Sequence, residues 1–251
     1  MSTAGAIATA IPAAARGAEI KRKGWIDAHV HVWTPDIKKY PLADGYDAES
    51  MQPPSFTPEQ LFAHCKPSGV DRIVLIQMSF YKFDNRYMLE MIKQHAGIFA
   101  GVAIVDHHQK NVAGQMKKLA AGGVRGFRIH PRGDEARQWV RDDGMGRLWK
   151  TAGQEGLAVC PLINPTDLPA IERLCRKFPG TSVVIDHFAR IGVSGKVEQD
   201  YLNQLCRMAK LPQVHVKVSA FYALGKKNAP YLDLVPMIRR VIDAYGPSRL
   251  M

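Results

Sequence analysis

The sequence predicts an α/β fold, a (β/α)8 barrel of the TIM-barrel type. Three observations predict it. Short apolar runs alternate with amphipathic segments seven times between Trp25 and Gly246. The apolar runs are rich in Val, Ile and Phe and are nearly continuous, as in parallel strands buried on both faces. No G-x-G-x-x-G or Walker sequence marks the phosphate loop of an open, doubly wound sheet, and GVSGK at 192–196 has the wrong spacing. A chain of 251 residues suits one such barrel.

The elements follow in order. WIDAHVHVW, from Trp25, is the first strand, and TPEQLFAHCKPSG opens its helix with Thr57 and then Pro58, a helix-entry signal. RIVLIQMS is the second strand, followed by DNRYMLEMIKQHAG, where Gly97 is expected to close the helix. FAGVAIVD, GVRGFRIH, LAVCPLIN, SVVIDHF and VHVKVSAF are strands three to seven. QKNVAGQMKKLAAGG, GMGRLWKTAGQEG, PTDLPAIERLCRKFPG, EQDYLNQLCRMAK and APYLDLVPMIRRVIDAYG are the helices that follow them. SRLM, at 248–251, begins an eighth strand and leaves it incomplete within this chain.

Residues 24–251 form the barrel domain, and residues 1–23 stand apart from it. MSTAGAIATAIPAAARGA is small, apolar and almost uncharged, and resembles the cleavage region of a secretory signal without its basic start. Two readings stay open: a signal remnant on an exported protein, or a disordered arm on a cytoplasmic one. No run approaches the ~20 apolar residues of a membrane span, so no membrane partner is expected. The net charge is +11, but Lys and Arg are spread along the chain and the one tight cluster is Lys21, Arg22 and Lys23. No nucleic-acid partner is expected, and a basic balance suits an anionic small molecule. Cys65, Cys160, Cys175 and Cys206 share no metal-type spacing and read as buried thiols. A homo-oligomer is compatible with the sequence.

In a barrel, chemistry sits at the C-terminal ends of the strands. His29 and His31 are two residues apart at the end of strand one, so they share a face. Paired imidazoles there can ligate a divalent metal or hold a carboxylate or carbonyl oxygen. His187 ends strand six, and Asp186 before it is expected to point the other way, toward the helices. Strand four offers Arg128 and His130 on one face. An interior Arg binds an anion or pairs with a neighbouring strand's acid, and both readings stay open. Strand seven alternates Val214, Val216 and Val218 with His215, Lys217 and Ser219, which places Lys217 and Ser219 inside. Gln77 of strand two has the same character, and Asn164 is the polar group ending strand five. His107 and His108 are expected on the surface. No G-x-S-x-G elbow supports a nucleophilic serine.

IDAHVHVW, GVRGFR, FPGTSVVIDHFAR and VHVKVSAFY together resemble the amidohydrolase superfamily, in the amidohydrolase-related branch that includes 2-pyrone-4,6-dicarboxylate lactonase. The resemblance covers residues 24–251. It implies a barrel hydrolase that opens a lactone, or a related ester or amide, of a carboxylated small molecule by water attack at a carbonyl. It implies that His29, His31 and His187 line the site and hold the carbonyl, or a zinc ion where one is bound, and that Arg128 and Lys217 hold substrate carboxylates. No cofactor is the first expectation, because the lactonases this sequence resembles work without a metal. A metal-dependent decarboxylase of the same superfamily, or an inactive barrel that binds an anion, is the alternative. The resemblance also places the water-activating aspartate in a Leu-Met-Trp-Gly-Ser-Asp pattern, four residues past Met251, so turnover by residues 1–251 is expected to be impaired.

Overall fold

A computed structural model of the protein describes residues 24–251, so the expected N-terminal arm, residues 1–23, lies outside the described residues. Seven strands form one parallel sheet in sequential order: β1 (Trp25–Val30), β2 (Val70–Ile76), β3 (Phe99–Ala103), β4 (Val124–Ile129), β5 (Ala158–Pro161), β6 (Ser182–Ile185) and β7 (Val214–Val216). Between them run α1 (Pro58–Cys65), α2 (Arg86–Gln94), α3 (Val112–Ala121), the short α4 (Glu135–Gln138), α5 (Asp143–Gln154), α6 (Leu168–Lys177) and α7 (Gln199–Met208), and α8 (Val235–Tyr245) follows β7. Each strand is shorter than its apolar run, because the polar end of each run leaves the sheet to build the loops above it.

Local signals explain the helix ends. Thr57 caps α1 through a reciprocal capping box with Gln60, and Pro58 takes the first helical position. Asp142 caps α5 by accepting from the Met145 amide at 2.6 Å. Gly97 does not close α2. The helix ends at His95, whose amide still reaches Met91, and Gly97 takes a left-handed turn two residues later.

Alternation along the strands divides the interior in two. Val30, Ile73, Leu75, Phe127, Val159, Val183, Ile185, Val214 and Val216 face the helices and join the main core with Leu148, Trp149, Ile171, Leu174 and Leu205. Ile76, Val102, Cys160 and Val184 form a separate small cluster on the other face, inside the curl of the sheet. The curl is visible in the contacts. Lys217, just past β7, comes within 3.2 Å of His29 on β1, although these are the two ends of the strand order. Leu250 bridges to Val216 in parallel, and the Met251 amide donates to the Val216 carbonyl at 3.1 Å.

Cys65, Cys160 and Cys175 are buried free thiols, as expected, whereas Cys206 is only half-buried, its thiol facing the Arg240 carbonyl of α8 at 3.8 Å. No helix among the described residues is long and apolar enough to cross a membrane.

Candidate active site

The inner face of the sheet ends in a knot of charge. Arg128 on β4 and Lys217 after β7 are both buried, and both reach the carboxylate of Asp186, which is completely buried. Arg128 Nη2 donates to Asp186 Oδ2 at 2.9 Å, and Lys217 Nζ lies 3.0 Å from Oδ1. His29 sits above this triad. Arg128 Nη2 is 3.1 Å from its Nε2, Lys217 Nζ is 3.2 Å from its Nδ1, and Asp186 Oδ1 is 3.7 Å away. His31 and His187 flank it, with ring centroids 5.1 and 4.5 Å from that of His29.

The position of Asp186 corrects the expectation that it would face the helices. Val183 and Ile185 pack into the main core, so Val184 and Asp186 take the inner face. The same alternation would send His187 outward, yet it too reaches the site. Immediately after Asp186 the chain enters a left-handed turn of four residues, His187, Phe188, Ala189 and Arg190, with φ between 51 and 58°. A left-handed conformation costs a non-glycine residue roughly 1–2 kcal/mol. Burial of Phe188, Ala189 and Ile191, all without measurable exposure, offsets that cost. The turn swings the His187 ring back over the mouth beside Asp186, so two consecutive residues serve one site.

The electrostatics follow from this packing. Burial alone would raise the Asp186 carboxyl, but the His29 ring, Arg128 and Lys217 outweigh it and hold the group well below the usual carboxylate range. Burial lowers His29, and the neighbouring Lys217 and Arg128 add to the effect against the pull of Asp186. His31 is pushed down to about 3, mainly by burial and then by Arg128. His187 is pushed down to about 4, mainly by burial and then by His29. At neutral pH the site therefore holds three neutral imidazoles, one carboxylate and two cations. Asp186 offsets one of the cations, which leaves a net positive floor. Arg128 Nε, also buried, meets no acceptor among the described residues.

The imidazoles also have defined edges. The Ile76 carbonyl, 2.8 Å from His31 Nδ1, can only accept, so His31 carries its proton there and turns the lone pair of Nε2 toward His29 Nε2 at 3.3 Å. Among the described residues, His29, Asp186 and His187 bring ligand atoms within 4.8 Å of one another, and His31 Nε2 faces His29 Nε2, so the donor types fit a divalent ion. His29, His31 and His187 would hold it. Asp186 is already held by Arg128 and Lys217, and those two cations oppose the charge of an ion placed there.

Of the other expected site residues, Gln77, His130 and Asn164 make their bonds away from this knot. Gln77 is buried, but alternation on β2 turns Ile76 inward, and the Gln77 amide instead donates to the carbonyls of Lys82 and Asp84 at 3.4 and 2.7 Å. His130 is exposed and bonds to the Leu162 carbonyl through Nδ1 at 2.7 Å. Asn164 is exposed at the start of the turn before α6, and its backbone N–H donates to the Asp167 carboxylate at 3.1 Å. Ser219 does reach the site, but its hydroxyl lies 2.8 Å from His187 Nδ1. His107, expected on the surface, is mostly buried beside Glu135 and Asp142, at 3.7 and 3.9 Å, where the loops after β3 and β4 meet; His108 is exposed.

Known proteins resemble this arrangement in sequence and in fold. The chain is 27% identical over 235 residues to the L-fucono-1,5-lactonase of Burkholderia ambifaria, covering 90% of this chain and 78% of that protein. It is 29% identical over 241 residues to a 2-pyrone-4,6-dicarboxylate hydrolase of Comamonas testosteroni, covering 91% and 75%. The crystal structure of an amidohydrolase from Burkholderia multivorans with bound zinc shares the fold, with a TM-score of 0.76 at 21% identity over 90% of this chain and 82% of that one. The sequence model of the amidohydrolase family spans residues 26–251, from the first strand through His29, His31 and His187 to the last residue, and this chain belongs to that family of hydrolases.

Proposed function

We propose that the protein opens a lactone of a carboxylated small molecule by water attack at the ring carbonyl. The observation that carries this reading is the convergence of Arg128, Lys217 and three neutral histidines on one buried carboxylate. The positive floor suits a substrate carboxylate, and the free Arg128 Nε gives it a donor. The imidazole edges of His29, His31 and His187 can hold the reacting carbonyl oxygen as charge develops on it. The relatives named for lactone hydrolysis support the reaction class. We also read Leu250 and Met251 as the first residues of an eighth strand, which would complete a (β/α)8 barrel.

A panel of aldonolactones and carboxylated lactones, followed by proton release, tests the reading. At least one should be hydrolysed, and His29→Ala should cut that rate by about 100-fold or more. No hydrolysis of any member, either by residues 1–251 or by the chain extended with Trp-Gly-Ser-Asp, would overturn it.

A metal-dependent reaction, hydrolytic or decarboxylating, is the second reading, and the facing Nε2 atoms of His29 and His31 favour it. The ion would polarise the substrate carbonyl or carboxylate as a Lewis acid. Stoichiometric zinc that is required for turnover would decide for it.

A further inference from the structure

Strands β6 and β7 leave the sheet in the same unusual way. The chain turns left-handed at His187 through Arg190 after β6, and again at Ala220 after β7. None of these residues is glycine, the residue that adopts this conformation without steric cost. Backbone that departs from the favoured regions persists only where its surroundings hold it. Here the two turns hold each other.

Three contacts join them. On the mouth side, the Ser219 hydroxyl lies 2.8 Å from His187 Nδ1. In the backbone, the Phe188 amide donates to the Lys217 carbonyl at 3.3 Å. Below, the Phe188 and Phe221 rings pack with centroids 6.2 Å apart, and Phe221 continues to Tyr231 at 6.4 Å. Phe188 is completely buried. The aromatic contact fixes the turns, and the hydroxyl is the contact that reaches the functional ring.

We propose that Ser219 is a positioning residue for His187, fixing the orientation of its imidazole across a clamp of two left-handed turns. This rests on the proposed function only in giving His187 a role at the reacting carbonyl. A hydroxyl can donate to Nδ1 or accept from it, so the bond holds the ring in either tautomer and fixes its orientation. Nε2 is then the nitrogen left to face the substrate. Without the hydroxyl the ring loses its Nδ1 anchor and can turn. A substrate-binding role for Ser219 would make no such demand on His187.

The test compares Ser219→Ala, Ser219→Cys and Ser219→Thr with wild type. Cysteine keeps the size with a much weaker donor and acceptor, and threonine restores the hydroxyl. Ring nitrogen-15 spectra of histidine-labelled protein, assigned with His187→Gln, report the hydrogen bond at Nδ1. Wild type and Ser219→Thr should show the same His187 Nδ1 shift, whereas Ser219→Ala and Ser219→Cys should both move it. On the lactone that wild type hydrolyses, Ser219→Ala should lower kcat by about 10–100-fold with KM within about threefold, and Ser219→Thr should recover most of the loss. Unchanged His187 signals in both Ser219→Ala and Ser219→Cys overturn the inference and leave the proposed function intact. Ser219-dependent signals in a wild-type protein that hydrolyses no lactone overturn the proposed function and leave the inference standing.

Discussion

The two sides of the barrel mouth use similar residues to opposite ends. On the side of β1, β6 and β7, His29, Asp186, His187 and Lys217 bind one another and almost nothing local. On the side of β2 and β5, Gln77 and Asn164 bond within their own loops, and His130, though it follows β4, is tied to the end of β5. Arg128, from β4 in the middle of the sheet, crosses to the first group. The Gln77 amide is taken by the carbonyls of its own loop, whereas His31, whose Nδ1 meets the Ile76 carbonyl, still turns its other nitrogen to His29. Where such a partner lies within the same loop, as Lys82 and Asp84 do for Gln77, the side chain serves the loop.

Breaking the bound side should have the largest effect. Asp186→Asn keeps the shape but leaves Arg128 and Lys217 buried without their counter-ion, and loss of one partner of a buried pair costs about 3–5 kcal/mol. Urea unfolding should show that loss, and lactone hydrolysis should fall with it. A double variant, Asp186→Asn with Lys217→Met, removes one uncompensated charge as well. Its loss of stability should be less than the sum of the two single losses. Strict additivity would mean that the two groups do not interact, contrary to their 3.0 Å separation.

Acid should act on the same side next. His31 and His187 are held near 3 and 4, well below their ordinary 6.5. Between those values and 6.5 the unfolded chain binds protons that the folded site refuses, so stability rises with pH across that interval. The contribution is complete above about pH 7 and is lost as pH falls from about 6.5 toward 4. Asp186, held low by its partners after burial is outweighed, adds a further loss only below its ordinary 3.8. Urea midpoints between pH 4 and 7 should therefore fall on acidification, and His187→Gln should flatten part of that slope. An equal slope in the variant would show that His187 titrates normally in the folded protein.

Much of this was legible in the sequence, and the exceptions have physical causes. The βα order, the parallel sheet and the convergence of strands one, four and seven follow from apolar period and chain order, and His29, Arg128 and Lys217 fall where alternation puts them. Asp186 was misplaced because VVI reads equally apolar on both faces, so β6 carries no internal sign of which residues face in. The inward pointer was the pair Val183 and Ile185, which needs the helix contacts to be recognised. His187 reached the mouth for a different reason from the one its position suggested, a left-handed turn that no glycine announces. Gln77 failed because Ile76, not Gln77, has the inner parity on β2. Local capture of His130 by Leu162 depends on neighbouring strand ends, 32 residues apart, which sequence spacing does not encode.

The loop-bound side should give the smallest effect, and it marks the limit of the site. The His130 ring is exposed, and its bond to the Leu162 carbonyl competes with water. Such a bond is worth at most about 0.5–1.5 kcal/mol, and the carbonyl that His130→Ala would release can turn to solvent. His130→Ala should therefore change stability by less than about 1 kcal/mol and leave kcat/KM within about threefold of wild type. The matched change on the other side, His29→Ala, removes a ring that touches Arg128 and Lys217 directly and should separate from it by more than tenfold in rate. A tenfold loss of kcat/KM in His130→Ala at unchanged stability would mean that the free Nε2 of His130 touches substrate. The boundary of the site would then move outward, to include the end of β4 and the loop it shares with β5.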